Sequence, residues 1–254
     1  MHSTRDDVID RELAWHEQEA RRRNALEFMY DPPAFEPVVR ACLGFLAAQP
    51  GQWVLDLGCG EGKETLALVR AGARVVATDL SAVQIALARQ RIAPLETAHA
   101  ALFVQANAEA TPFADGAFAL VHGKAIVHHL DLDLAAAEVK RLLAHGGRAA
   151  FAEPLAHHPL MWLARRLSPH MRTQDERPLS LKEMERFAAM FDGGRVDVVF
   201  LLAPLAYVFR LLPGLEPVFR LTHRALRAVD SVLFRVCPPL RRMAPSASCC
   251  CAPT

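Results

Sequence analysis

The sequence predicts an α/β fold, a mostly parallel sheet with helices on both faces. Three observations carry that expectation. Short apolar runs alternate with helix-patterned segments from about residue 50 to residue 154, as in stacked βαβ units. The first run ends in a turn of three alternating glycines, Gly58-Cys-Gly60-Glu-Gly62, the place where an open parallel sheet holds its ligand. The second run ends in an acid, Asp79.

The elements follow in chain order. Residues 6–30 are charge-rich, with Val8, Leu13, Trp15, Leu26 and Met29 at helical spacing, and read as one or two helices. The prolines of "YDPPAF" (30–35) end that pattern, since proline cannot continue a helix. Helical periodicity resumes over 36–48 and stops at Pro50-Gly51. Val54–Leu57 is the first strand, "ARVVATD" (73–79) the second and "AALFVQAN" (100–107) the third. "AFALVHG" (117–123) is the fourth and "GRAAFAEP" (147–154) the fifth. Helices over roughly 62–71, from a Ser81 N-cap to about Arg91, and over 133–144 fill the gaps.

After Pro154 the rhythm changes. Residues 155–179, rich in Pro, His and Arg, read as irregular or broken-helical. Ser180 with Glu183 three residues on forms a capping box for a helix over 180–191. "RVDVVFLLA" (195–203) is a sixth strand, and 205–236 is apolar with regularly spaced arginines. The final stretch, "LRRMAPSASCCCAPT", has no β-branched residue before Thr254. It is expected to be a disordered tail, which leaves a seventh strand in doubt.

Composition narrows the function. Net charge is +1 with acids and bases interspersed, so no basic face advertises nucleic acid. The start "MHSTRDDVIDRE" lacks an apolar core for a secretory signal. The apolar run Val198–Phe209 is interrupted by Pro204 and followed by Arg210. It is shorter than the roughly 20 residues a transmembrane helix needs. It reads as an apolar lid over a greasy substrate, as a surface touching membrane, or as helices packed on the sheet. The six cysteines, including the Cys249–Cys251 cluster, show neither a spaced disulfide framework nor a metal-ligand pattern. A reduced, cytoplasmic protein without metal is the expectation.

The glycine turn permits positive φ and leaves no Cβ between backbone and ligand. The helix behind it offers free N–H groups and a positive dipole end. Asp56, just before the turn, would repel a pyrophosphate and welcome an ammonium group. A dinucleotide turn wants G-x-G-x-x-G, yet Lys63 stands in the third-glycine place. Asp79 is still placed to hold a ribose. A ligand with a ribose, an ammonium and no pyrophosphate fits these facts, and S-adenosyl-L-methionine is such a ligand.

These motifs carry a resemblance. "VLDLGCGEGKETLALVRAGARVVATDLS", "VQANAEATPFADGAFALVHGKAIVHHLDL" and "RLLAHGGRAAFAEP", spanning about residues 50–154, resemble class I S-adenosylmethionine-dependent methyltransferases. They look most like the ubiquinone/menaquinone-type, small-molecule branch. The resemblance implies a Rossmann-like fold divided into a helical lid (1–48), a cofactor-binding core (49–154), a substrate cap continuing the same domain (155–240) and the tail (241–254). It implies that Asp56 holds the methionine ammonium, directly or through water, and that Gly58, Gly60 and Gly62 line the methionine and ribose. Asp79 would accept from the ribose hydroxyls, with Leu80 against the adenine. Asn107 stands where an acid commonly reads the adenine amino group; it is equally read as a turn residue. Ala108 would offer its N–H to the ring, and Lys124 would sit near the methionine end.

Methyl transfer from a sulfonium is an in-line displacement, so the protein must align the acceptor, exclude water and remove a proton where the acceptor carries one. His128, His129 and Glu153, at the ends of the fourth and fifth strands, are the candidate bases, since imidazole titrates near neutrality. Tyr30, His16 and His157 are candidate substrate contacts. The acceptor is expected to be small and hydrophobic, lipid-like or quinone-like, with peripheral membrane contact open. Two rivals stay in view: a non-catalytic S-adenosylmethionine-binding protein, and an NAD(P)-dependent oxidoreductase, which the glycine spacing disfavours.

Overall fold

The computed structural model describes residues 4–20, 35–95, 100–167, 177–211 and 214–252. Tyr30 lies outside them. Seven strands form one sheet in the order β3-β2-β1-β4-β5-β7-β6: β1 (Trp53–Leu57), β2 (Arg74–Asp79), β3 (Ala101–Gln105), β4 (Phe118–Lys124), β5 (Leu143–Pro154), β6 (Arg195–Val199) and β7 (Ser246–Cys251). The first five run parallel, and β7 pairs antiparallel with both β5 and β6. The order reverses at β1, which lies between β2 and β4, so the carboxyl ends of those strands open a crevice there.

Helices cover both faces, as the alternation requires. On one face α2 (Glu36–Leu46), α3 (Lys63–Arg70) and α4 (Ala82–Ile92) bury Val38, Leu46, Leu68, Ile85 and Ile92 against Val54, Val75 and Leu120. On the other face α5 (Leu132–Leu142) and α7 (Leu181–Ala189) bury Val139, Met184 and Phe187 against Leu55, Val121 and Phe151. Two helix starts follow the sequence signals: Ser81 accepts from the N–H of Gln84, and Ser180 with Glu183 closes a capping box. The remaining α-helices among the described residues are α1 (Arg5–Ala20), α6 (Pro159–Leu167) and α8 (Glu216–Val236).

The tail expectation is corrected. Residues 246–251 form the inserted strand β7, and all six are buried. The strand's stability comes from a ladder on each side and from small side chains that let α2 and α7 approach, not from intrinsic β-propensity. Cysteine is among the residues most often buried, the one local signal that pointed this way. The run Val198–Phe209 is divided between the end of β6 and a 3-10 segment, Ala203–Leu211. Tyr207 in that segment packs obliquely against Phe219 and edge-on against His223 of α8. Asp230 of α8 is buried and accepts from the N–H groups of Leu201, Leu202 and Ala203, which pins the helix beneath the loop.

Candidate functional site

A cleft opens at the switch point and encloses about 920 Å³, its open mouth included. Its floor is Gly58, Gly60, Thr78, Asp79 and Leu80, from the ends of β1 and β2. Asn107 and Ala108 form one wall, and Lys124, Ala125, Ile126 and His129, following β4, form another. Arg5, Val8, Ile9 and Glu12 of α1 cover it. No described residue of 155–240 lines the cleft.

Asp79 organises the floor. Its Oδ2 accepts from Gly60 N and its Oδ1 from Ser81 N, both at 2.9 Å. One carboxylate thus ties the glycine turn to the start of α4. Gly58 is at φ +70, and a Cβ there would meet Ile126 Cγ1 at 2.7 Å; only glycine lets the turn pass under the segment after β4. Gly60, at φ +50, faces open space. Gly62 is different. Its Cβ would strike Ala88 Cβ at 2.9 Å, so its place is the α3–α4 contact, not the cleft wall expected of it.

Asp56 is also corrected. It is buried, with Oδ2 accepting from the Thr65 hydroxyl at 2.6 Å and Oδ1 lying 2.9 Å from Nδ1 of His122. Its carboxylate ties β1 to α3 and β4 and does not line the cleft. His122, buried on β4, and Thr65 were not singled out from sequence; a histidine in the apolar run "FALVHGK" was the available signal.

The three candidate bases separate cleanly. Glu153 is fully buried. Its Oε1 accepts from Ile126 N and Val127 N at 2.9 Å, and its Oε2 lies 2.7 Å from Nδ1 of His128. Both residues lie off the cleft lining and are committed to holding the 3-10 turn Val127–His129. His129 alone reaches the cleft. Its Nδ1 lies 3.0 Å from Oε2 of Glu12, a buried lid carboxylate that sequence reasoning missed because residues 117 positions apart share no local pattern. Ala125, beside it, holds φ +52, a conformation a non-glycine residue keeps only under surrounding constraint.

The lid docks through Arg5, which pairs with Glu109 and donates from Nη2 to the His129 carbonyl at 3.2 Å. Asn107 serves as a turn residue here: its Oδ1 accepts from Glu109 N at 2.9 Å while the residue lines the cleft. Lys124 pairs with Glu64 of α3 at 3.0 Å. His157 is exposed and off the cleft lining, against expectation. His16 lies on α1 by its backbone. Among the described residues no group of three His, Cys, Asp or Glu is placed to hold a metal ion.

The wall carrying Asn107 and Ala108 is clamped to α5. Glu138 Oε1 accepts from Thr111 N at 2.7 Å and from its hydroxyl at 2.6 Å, and Arg141 bonds both Glu138 oxygens at 2.8 Å. Hydrogen bonding from Arg141 first, then from Thr111, holds the Glu138 carboxyl at about 2, below its ordinary value of 4.5. The folded-state value being the lower one, the clamp contributes fully above pH 4.5 and is lost as pH falls toward 2. The thermal midpoint should fall across that window, and Glu138→Gln should flatten this limb in a calorimetric pH series.

Residues 55–151 match the model of a family described as a methyltransferase domain. An uncharacterized methyltransferase of Synechocystis sp. is 40% identical over 121 residues, 46% of this chain and 53% of that protein. A demethylmenaquinone methyltransferase of Beutenbergia cavernae is 35% identical over 115 residues, 45% of each. The chain spans about half the length of these curated relatives. A geranyl diphosphate C-methyltransferase of Streptomyces coelicolor A3(2), solved with S-adenosyl-L-homocysteine, superposes with a TM-score of 0.59 at 20% identity, over 86% of this chain and 77% of that one.

Proposed function

We propose that the chain is a class I S-adenosylmethionine-dependent methyltransferase, in keeping with the methyltransferase-domain match over residues 55–151, and that it transfers a methyl group to a small, hydrophobic, lipid-like or quinone-like acceptor in the cytoplasm. The observation that carries the reading is the covered cleft in which Asp79 and the glycine turn face a carboxylate–imidazole pair, Glu12 and His129.

The cleft fits the nucleoside. Gly60 faces open space where any Cβ would project. Asp79 lies on the cleft floor, and its carboxylate is an acceptor suited to vicinal hydroxyls. Leu80 and Ala108 offer apolar surface for a ring, and Lys124 closes the far end of the floor. Bound there, S-adenosylmethionine supplies a methyl on a sulfonium, open to in-line displacement. The chain's own residues do the rest. α1 shields the cleft from water, Val8, Ile9 and Ile126 give it apolar surface for the acceptor, and His129 takes the acceptor's proton while the nearby Glu12 carboxylate stabilises the imidazolium that forms.

Titration calorimetry tests the binding half. S-adenosylmethionine should bind and NAD should not. Asp79→Ala should weaken binding by about 100-fold, the loss of two hydrogen bonds to a charged acceptor. Release of S-adenosylhomocysteine on adding an extract of hydrophobic metabolites, followed with labelled methyl donor, tests turnover. Preference for NAD overturns the reading, and binding without turnover in any extract reduces it to a cofactor-binding protein.

A further inference from the structure

Helix α8 has two apolar faces, and only one is used by the fold. At about 100° per residue, Phe219, Leu226 and Leu233 face inward with Asp230, and Phe219 and Asp230 are buried. Roughly 110° round the helix from them, Val218, Leu221, Ala225, Val229, Val232 and Val236 form a second stripe, and every one of them is exposed. Leu221 is 72% and Val236 79% exposed. More than half of the exposed large apolar side chains among the described residues lie on α8 or on the 3-10 segment packed against it, which adds Leu205 and Val208.

The charges beside this stripe share one sign. Arg224 and Arg235 border it on one flank with Arg220 further round, all exposed, while Arg227 lies over the Phe200 ring. The only two acids of the helix are Asp230, buried on the opposite side, and Glu216 in the first turn, paired with Arg220. An uninterrupted apolar stripe bordered by arginines whose stems can lie along it is the pattern of a helix seated in a lipid interface. Two copies meeting through this face would bring like charges together. No helix among the described residues is long and apolar enough to cross a membrane, so the helix lies on the surface.

We propose that the exposed face of α8 docks the protein on an anionic lipid bilayer, with Val218, Leu221, Val229, Val232 and Val236 entering the acyl boundary and the arginine flank on the headgroups. The inference is independent of methyl transfer. Each arginine near such a surface adds roughly fivefold to partitioning at moderate salt, so binding is both charge- and stripe-dependent.

Sedimentation of the full chain with large vesicles decides it. Vesicles of phosphatidylcholine with phosphatidylglycerol at about a third of the lipid should pellet the protein, and pure phosphatidylcholine should pellet at least about tenfold less. Leu221→Glu with Val232→Glu should weaken binding to the anionic vesicles at least about tenfold. Arg224→Gln with Arg235→Gln, which leaves the stripe intact, should weaken it comparably and remove most of its salt dependence. Circular dichroism melting of both variants, close to that of the parent chain, keeps the reading distinct from unfolding. No binding to anionic vesicles, equal binding to neutral ones, or binding unchanged in folded variants overturns the proposal. A concentration-dependent dimer that the stripe variant abolishes, without vesicle binding, replaces it with self-association.

Discussion

Replacing Glu153 with Ala is expected to destabilise the protein by about 4 kcal/mol, because three donors around a buried carboxylate lose one acceptor at once. Ile126 N and Val127 N both point at Oε1, and the His128 ring lies at Oε2, with the carboxylate fully buried. Glu153→Gln keeps an oxygen for the two backbone groups and should cost about half as much. Urea unfolding with an unchanged m-value measures both. A Glu153→Ala protein as stable as the parent but catalytically dead would reverse the assignment and make this carboxylate the base. The effect should also reach the cleft, since the turn that Glu153 holds carries His129.

His129→Ala should lower kcat by about 1000-fold, within the range a positioned general base supplies, while S-adenosylmethionine affinity changes only a few-fold. The acceptor's KM should move little, because the ring's proposed work is on the proton in the transition state. Glu12→Gln should lower kcat about tenfold with KM unchanged. In the His129→Ala background it should do nothing further, the non-additivity expected when one residue acts through another. Steady-state kinetics on the four proteins of this cycle give the result directly. Full activity in His129→Ala removes the imidazole from the reaction.

The glycine-turn side of the cleft was legible because its determinants are local. A glycine turn between a strand and a helix, and an acid ending the next strand, lie within 30 residues of one another. Backbone geometry then brings Gly60 N to the Asp79 carboxylate. The candidate bases were less legible. His128, His129 and Glu153 are alike as residue types at strand ends, and which one faces the cleft depends on the turn that two of them build. Asp56 shows the same limit, since its partners Thr65 and His122 sit on different elements.

By itself the sequence determined the parallel α/β core, the glycine turn, the Asp79 position and the caps of two helices, because periodicity and short-range hydrogen bonding fix these before the chain closes. Only the tertiary structure decided that a Ser-Ala-Cys segment would become a buried central strand, that α1 would bring Glu12 to His129, and that α8 would keep an apolar face outside. Each of these depends on which surfaces meet across long sequence separations, and small residues and charged lid helices acquire their meaning only from the neighbours that folding supplies.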